Sequence, residues 1–384
     1  MNILFIASDN NNASGAFLSM VKLNSMLNTY SDVNTSIILP CKGTGEDLLK
    51  KEHLQYHTIR SFPWIVPVEK QNSISTKMKI FVKNFLNIPA IIRLMFVIKK
   101  QNVDIVHVNT SYSYVGAVAG KVTGTPVIWH LREFLEEDQN NKIANRKKGY
   151  ALINYSKRIV AISNSIYKKY FKIFDKDKLV CIYNGIDKKK FYVSNKTIFQ
   201  NENINLIIVG GLYKKKGQLE LCKACKIILD KGIQNFHLQI VGDGDEEQKL
   251  KEYIKENQLD SCSTLLGKQS NVEKLYRSAD IAFMCSKAEA FGRVTVEAML
   301  SGCLVIGANT AATEELIEHN ATGLLYQQGS AEDLAEKIEY AITHKDEMRK
   351  IAAAGRKFAV QNMTAEKNAE NIYALYKEVL NENK

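Results

Sequence analysis

The sequence carries little that could tie the chain together covalently. Its seven cysteines, at Cys41, Cys181, Cys222, Cys225, Cys262, Cys285 and Cys303, are odd in number and scattered. That argues against a disulfide framework. Cys222 and Cys225 form a C-x-x-C, but inside a helical pattern with no second pair and no cluster of histidines nearby. They are expected as small buried apolar side chains, not as a redox or zinc pair. No uninterrupted apolar run reaches the ~20 residues that a membrane span requires. Met1 to Phe5 pass directly into an apolar strand without a basic leader or cleavage site, so a cytoplasmic protein is expected. Repeats at solenoid periods and low-complexity tracts are also missing. One absence is local: between Lys70 and Val103 there are seven basic residues and no acidic one.

What is present points to two globular domains. A chain of 384 residues usually divides in two, and 45% hydrophobic with 24% charged residues is enough to build two cores. The net charge of +11 is uneven: residues 1–200 carry 29 Lys+Arg against 14 Asp+Glu, a net of +15, and the remainder 23 against 27, or −4. The first half therefore meets something anionic. Nucleic acid is not expected, because no basic–aromatic RNA motif, zinc finger or recognition-helix pattern occurs. In residues 74–100, Ile, Met, Leu and Phe interleave with Lys and Arg. That pattern describes an interfacial amphipathic helix, broken near Pro89, with residues 74–87 in peripheral contact with a membrane and the later half packed on a sheet.

Strands alternate with helices along the chain. Ile3 to Ala7 is an apolar strand, Ser8 to Ser14 a polar loop, and Gly15 opens a helix through about Leu27. Further strands fall at Ser36 to Leu39, Asp104 to Val108, Val127 to His130 and Ile159 to Ile162, as in a doubly wound parallel sheet. Ligands of such sheets lie beyond the strand C-terminal ends, which selects Asn109, His130, Arg132 and Ser163. Arg132 has an alternative, a surface pairing with Glu133 or Glu136. A second series begins at Asn205 to Val209 and continues through Gly210-Gly211 to Lys214-Lys215-Lys216-Gly217. Asp243 and Asp245, like Asp175 and Asp177, resemble a D-x-D metal motif but are expected in turns.

The stretch Met284 to Tyr326 organises the rest. Ala290-Phe291-Gly292 reads as a turn, Val294 to Leu300 as an apolar helix capped by Ser301-Gly302, and Leu304 to Ile306 as a buried strand. Glu289 then stands at a helix N-terminus beside free backbone amides, with Glu297 about two turns further on. A carboxylate and a ring of amides together can hold a hydroxylated ligand and an anion.

This stretch resembles the signature of the retaining GT-B glycosyltransferases of glycosyltransferase family 4 (glycosyl transferases group 1), roughly E-G-F-G-x3-x-E-A-M-A-x-G, at Glu289, Phe291, Gly292, Glu297, Ala298, Met299 and Gly302. Gly210 to Gly217 is similar to the family's G-R-L-x3-K-G, matching at Lys216 and Gly217 but with Gly211 in the place of the arginine. Asn184-Gly185-Ile186-Asp187 resembles the end of the family's first domain. Glu315 and Gly323 match a later motif in which Ala311-Ala312 replace Gly-Gly, a change that is costly wherever φ is positive.

The resemblance implies an α/β GT-B fold: two doubly wound Rossmann-like domains facing across a cleft, with a C-terminal helix crossing back to the first. The expected spans are 1–190 for an acceptor-binding domain, 188–203 for a linker, 204–363 for a nucleotide-sugar domain and 364–384 for the returning helix. It implies a retaining, metal-independent transfer from a nucleotide-diphosphate sugar, UDP-sugar before others, to a glycan or lipid-linked acceptor of bacterial surface polysaccharide. His130, Glu289 and Lys216 carry the catalytic roles. Gly15, Arg132, Gly211, Lys216, Gly267, Lys268, Glu289, Ala290, Phe291, Gly292, Val294, Thr295 and Glu297 surround the donor. A sugar-nucleotide 2-epimerase and a non-catalytic GT-B subunit, the latter favoured by Gly211 and Ala311-Ala312, are the alternatives.

Overall fold

In the computed structural model, which describes residues 1–382, the chain forms two compact units. The last two residues of the expected 364–384 segment lie outside the described part. One unit comprises 1–185 together with 365–384, the other 186–364.

The first unit is built on a seven-stranded parallel sheet. Its order is Gln55–Thr58, Asn34–Leu39, Asn2–Ile6, Ile105–Val108, Val127–Leu131, Arg158–Ala161 and Leu179–Cys181. The central strands are buried on both faces because helices cover both sides, so they read as unbroken apolar runs. The chain reverses direction across the sheet between Asn2–Ile6 and Ile105–Val108, and loops after those two strands open the crevice typical of such sheets. The helix Ala365–Asn381 completes this unit: Ile372, Tyr376 and Val379 are buried in the same core as Phe5, Phe17 and Ile105.

The second unit has a six-stranded parallel sheet ordered Ser263–Gly267, Phe236–Val241, Ile204–Val209, Ile281–Met284, Leu304–Ala308 and Leu324–Tyr326. Its switch point lies between Ile204–Val209 and Ile281–Met284. Cys222 and Cys225 are buried in the helix Gln218–Asp230, and burial pushes the Cys222 thiol up to about 12.

Two expectations fail. The polar stretch 188–203 is no linker: Phe191, Ile198 and Phe199 are buried in the second unit, because three well-spaced apolar side chains outweigh the average polarity around them. The chain leaves the first unit at Gly185. Nor is the helix 74–100 broken at Pro89; Ile74–Lys100 is one 27-residue helix with the proline inside it. Pro89 has no N–H for the carbonyl of Phe85, a residue that is itself exposed, while Asn87 pins the helix by bonding both Phe62 N (2.8 Å) and Phe62 O (2.9 Å). By length and composition this helix could cross a membrane: an 18-residue window has mean hydropathy 1.6, with 17% of it buried. A search for unbroken apolar runs passes over it because Lys83 and Arg93 interrupt the sequence.

Candidate active site

In the second unit, the loops after the two switch-point strands are tied to each other by backbone. Lys287 N donates to Lys215 O at 2.9 Å, and a Cβ on Gly217 would stand 2.3 Å from Cys285 O, so only glycine permits the approach. Gly217 also has φ +75°, a left-handed conformation that other residues reach at a cost. The clamp places Lys216 Nζ 2.5 Å from Glu289 Oε1, with both side chains three-quarters or more buried. A cation and a carboxylate thus stand side by side at the mouth of the second sheet.

Gly292, at φ +81°, turns the chain into the helix Arg293–Leu300. Phe291 is buried under the turn; Ala290 and Val294 are half-buried and Thr295 is buried, its hydroxyl without a partner among the described residues. Glu297 is 7% exposed, and burial holds its carboxyl above the ordinary value despite Arg293, whose Nη2 lies 3.2 Å away. Sequence reading passed over Arg293, although its place four residues before Glu297 on a helix was a signal. Ala312 N donates to Glu289 O at 3.2 Å, which holds the Glu289 loop from the other side. Just before it, Ala311 has φ +45°. Alanine therefore stands where the resembling family has glycine, in the conformation that glycine suits.

The remaining expected donor residues are less committed. A Cβ on Gly211 would lie 2.5 Å from the Tyr213 ring, so that ring covers the place of the family's arginine. Gly267 ends its strand at φ +64°, its O accepting from Gly242 N at 2.9 Å, and Lys268 beside it is exposed. The Asp243 carbonyl accepts from Leu212 N (2.7 Å), and Asp177 N donates to Asp175 Oδ1 (3.1 Å), so both aspartate pairs lie in turns.

In the first unit, Gly15 is exposed at the start of the helix Gly15–Leu27, whose Ser14 cap accepts from Phe17 N. His130 lies fully buried in the strand Val127–Leu131. Arg132 does not pair with Glu133 or Glu136 at the surface, being only 6% exposed. Its Nε donates to Asn109 O (3.1 Å) and Oδ1 (2.9 Å), its Nη1 to Asn184 Oδ1, and its Nη2 reaches His130 Nδ1 at 3.1 Å. Asn109 in turn donates to Ala16 O at 3.2 Å, so one guanidinium joins three loops. The Glu133 carboxyl is held by backbone amides, accepting from Ser111 N at 2.6 Å and from Arg132 N at 3.2 Å, and burial raises it to about 7. Glu136 pairs with Lys169 at 2.8 Å. Ser163 caps a helix, its hydroxyl accepting from Ile166 N. His107 was not foreseen: it lies in an apolar strand and bonds His130 on one side and Tyr376 of the last helix on the other.

Two family models tile most of the chain. Residues 57–190 match Glycosyltransferase Family 4, and residues 189–358 match Glycosyl transferases group 1. The chain belongs to the family 4 glycosyltransferases. The relatives of this glycosyltransferase include the N-acetyl-alpha-D-glucosaminyl L-malate synthase of Bacillus anthracis, 26% identical over 241 residues, 60% of this chain and 62% of that protein. The match thus spans about three-fifths of that relative's length. The capsular polysaccharide biosynthesis glycosyltransferase CapM of Staphylococcus aureus is 23% identical over 91% of this chain and 97% of its own. Among solved structures, Anabaena HepE in complex with UDP superposes with TM-score 0.81 over 98% of this chain and 100% of that one, at 21% identity. The fold of this glycosyltransferase is therefore GT-B, two Rossmann-like halves.

Proposed function

We propose that this glycosyltransferase transfers a sugar, with retention of anomeric configuration and without a metal, from a UDP-sugar to a lipid-linked glycan acceptor of a bacterial surface polysaccharide. The observation that carries the reading is the Lys216–Glu289 pair, 2.5 Å apart at the switch point of the second sheet. Breaking the bond between sugar and diphosphate builds negative charge on the leaving group, which needs a preorganised positive environment. Lys216 and the backbone amides that open the helix Arg293–Leu300 supply it in this reading, with the amides near Gly15 and Lys268 as lesser contributors. Glu289 accepts from sugar hydroxyls and Glu297 from the ribose; His130 faces a sugar hydroxyl. Glu289, already paired with a lysine, is not cast as the nucleophile of a double displacement. The choice of UDP is supported by HepE, a GT-B neighbour solved with UDP and with UDP-glucose.

The lipid-linked acceptor is supported by the helix Ile74–Lys100. Met78, Phe81, Phe85, Ile88, Ile92 and Phe96 recur every three or four residues and are all exposed, Phe81 by 76% and Phe96 by 70%. They fall within roughly 80° of the helix surface, opposite the buried Ala90, Leu94 and Ile98. Lys77, Arg93 and Lys100 flank this stripe, and the helix has no acidic residue. A second copy docked here would bring cations against cations. An anionic bilayer at the inner face of the cell membrane suits both stripe and charge, at about 1 kcal/mol for each lysine or arginine near the surface. Because its second half is packed into the first unit, the helix is read as lying on the membrane, not spanning it.

The test is to incubate the protein with labelled UDP-sugars and a lipid-linked acceptor, with and without EDTA, and to determine the anomeric configuration of the product. Transfer that survives EDTA and retains configuration is expected. Inversion, or loss of transfer in EDTA, would overturn those parts of the reading. Gly211 and the strained Ala311 favour a second reading, a non-catalytic glycan-binding subunit; calorimetry that finds no UDP binding would promote it.

A further inference from the structure

A short chain of side chains is buried in the first unit: Tyr376, His107, His130 and Arg132. The Tyr376 hydroxyl lies 2.6 Å from His107 Nδ1, His107 Nε2 lies 3.0 Å from His130 Nδ1, and Arg132 Nη2 lies 3.1 Å from the same Nδ1. His130 Nε2, at the far end, is buried with no hydrogen-bond partner among the described residues.

The direction of each bond follows from one fact. A guanidinium has only donors, so His130 Nδ1 must be an acceptor and carries no proton. His107 Nε2, 3.0 Å from that bare nitrogen, must then donate to it. His107 Nδ1 is in consequence bare and accepts from the Tyr376 hydroxyl, a bond that also fixes the hydroxyl rotor. In neutral His130 the remaining proton sits on Nε2. Protonating His130 would set its Nδ1–H against the donors of His107 and Arg132, and protonating His107 would turn the Tyr376 hydroxyl into an acceptor and take the acceptor from its own proton. Burial, with the charge of Arg132 added to it, pushes both histidines well below their ordinary value, which agrees with two neutral rings.

We propose that Arg132 and His107, backed by Tyr376, are positioning residues that lock His130 as the neutral Nε2–H tautomer, so that its buried N–H is offered to a sugar hydroxyl oxygen. The inference rests on the reading that His130 faces the sugar, but the locked tautomer stands by itself. A buried N–H left unbonded costs about 1–3 kcal/mol, and a ligand oxygen that accepts from it recovers that cost. His130 so held cannot be a general base, since its outward nitrogen already bears a proton; it binds and orients, and no proton moves. The buried Arg132 guanidinium is thereby given a role other than gripping the donor's phosphates. The charged or titratable groups around the ring are Arg132 and His107, with Tyr376 behind and the Glu133 carboxyl sensing the same guanidinium.

Long-range proton–nitrogen correlation of the full chain labelled with ¹⁵N-histidine reads the tautomer directly. The His130 signal is assigned by its disappearance in His130→Gln. An Nε2–H pattern that stays constant from pH 5.5 to 8 is expected; an Nδ1–H pattern, or an imidazolium at pH 6.5, overturns the proposal. In Arg132→Met the pattern is expected to become mixed or to titrate, and in Arg132→Lys, which restores a donor, to return. A pattern indifferent to both changes also overturns it, and should Arg132→Met fail to fold, the wild-type and Arg132→Lys spectra still decide. The functional arm uses UDP-glucose and UDP-N-acetylglucosamine. His130→Leu is expected to raise KM about tenfold more than His130→Gln, whose amide N–H stands near the position of Nε2. A locked tautomer with equal KM in both variants would defeat the sugar contact and leave the lock intact.

Discussion

Lys216 and Glu289 neutralise each other across 2.5 Å, although 72 residues separate them in the chain and they stand on loops that follow different strands. The pair means that Lys216, the proposed partner of the diphosphate, is not exposed as a bare charge. It also fixes the spacing between the sugar and phosphate ends of the proposed donor seat. Lys216→Ala is expected to weaken UDP binding about tenfold and to slow transfer by on the order of a hundredfold, because its charge matters most where the leaving group becomes anionic. Glu289→Gln is expected to slow transfer while leaving UDP affinity within a few fold. Calorimetry with UDP alongside steady-state transfer separates the two; equal losses of UDP affinity would refute the division of labour.

Glu297 is buried with Arg293 as its partner, and a ribose diol would have to replace part of that bond. Glu297→Ala is expected to lower UDP affinity by roughly ten- to a hundredfold, the range for hydrogen bonds to a charged group. UDP titrations that agree with wild type would remove Glu297 from the ribose.

Ala311 at φ +45° sits in a conformation costing roughly 1–2 kcal/mol for a side chain with a Cβ, part of which is regained through a less flexible unfolded chain. Ala311→Gly should therefore stabilise the second unit by about 0.5–1 kcal/mol, read as a rise of about 1–4 °C in its melting temperature. A lower melting temperature would show that the strain is relieved in some other way.

Glu133 makes the first unit's stability depend on pH. Its folded-state carboxyl is raised by burial to about 7, against an ordinary 4.5. Between those values the folded chain keeps a proton that the unfolded chain has released, so this contribution falls as pH rises through the window. The buried histidines act in the opposite sense, being lowered, and their contribution is lost as pH falls below 6.5. That term is common to wild type and to Glu133→Gln and cancels in the difference. The variant should gain on wild type by on the order of 2–3 kcal/mol from pH 4.5 to 7. A difference in melting temperature that stays flat over this range would contradict the burial argument.

Phe81→Asp combined with Phe85→Asp should abolish flotation with vesicles rich in phosphatidylglycerol while sparing transfer to a short water-soluble acceptor. Wild type should float with these vesicles, poorly with phosphatidylcholine alone, and less at high salt. If wild type instead sediments as a dimer that the two aspartates dissociate, the stripe joins copies of the chain and does not meet lipid.

Much of the architecture was legible because buried parallel strands advertise themselves as apolar runs, as at Ile3 to Ala7 and Leu304 to Ile306. The helix Gly15–Leu27 was read to its ends, since a polar loop stops at Ser14 and the apolar spacing stops at Leu27. Gln55–Thr58, an edge strand with three exposed side chains, carried no such signal and was missed. In the second unit the proposed donor residues Lys216, Glu289 and Glu297 lie in local motifs, so the sequence singled them out. At the first unit's site, His107 and Tyr376 lie 269 residues apart and meet only through the fold. Arg132 was named as well, but the burial that redirects it depends on Asn109 and Asn184, which no local pattern connects to it. Pro89 misled because a rule about isolated helices was applied to one held by tertiary contacts.

The helix Ala365–Asn381 sets an order of events at the ribosome. Residues 186–364 contain every strand of their sheet and can close as soon as they emerge. The sheet that begins at Asn2 must wait for Ile372, Tyr376 and Val379 before its core is sealed, although its own strands were made first. During that delay its apolar floor stands open, and a chaperone that shields nascent chains would find its longest-lived target there.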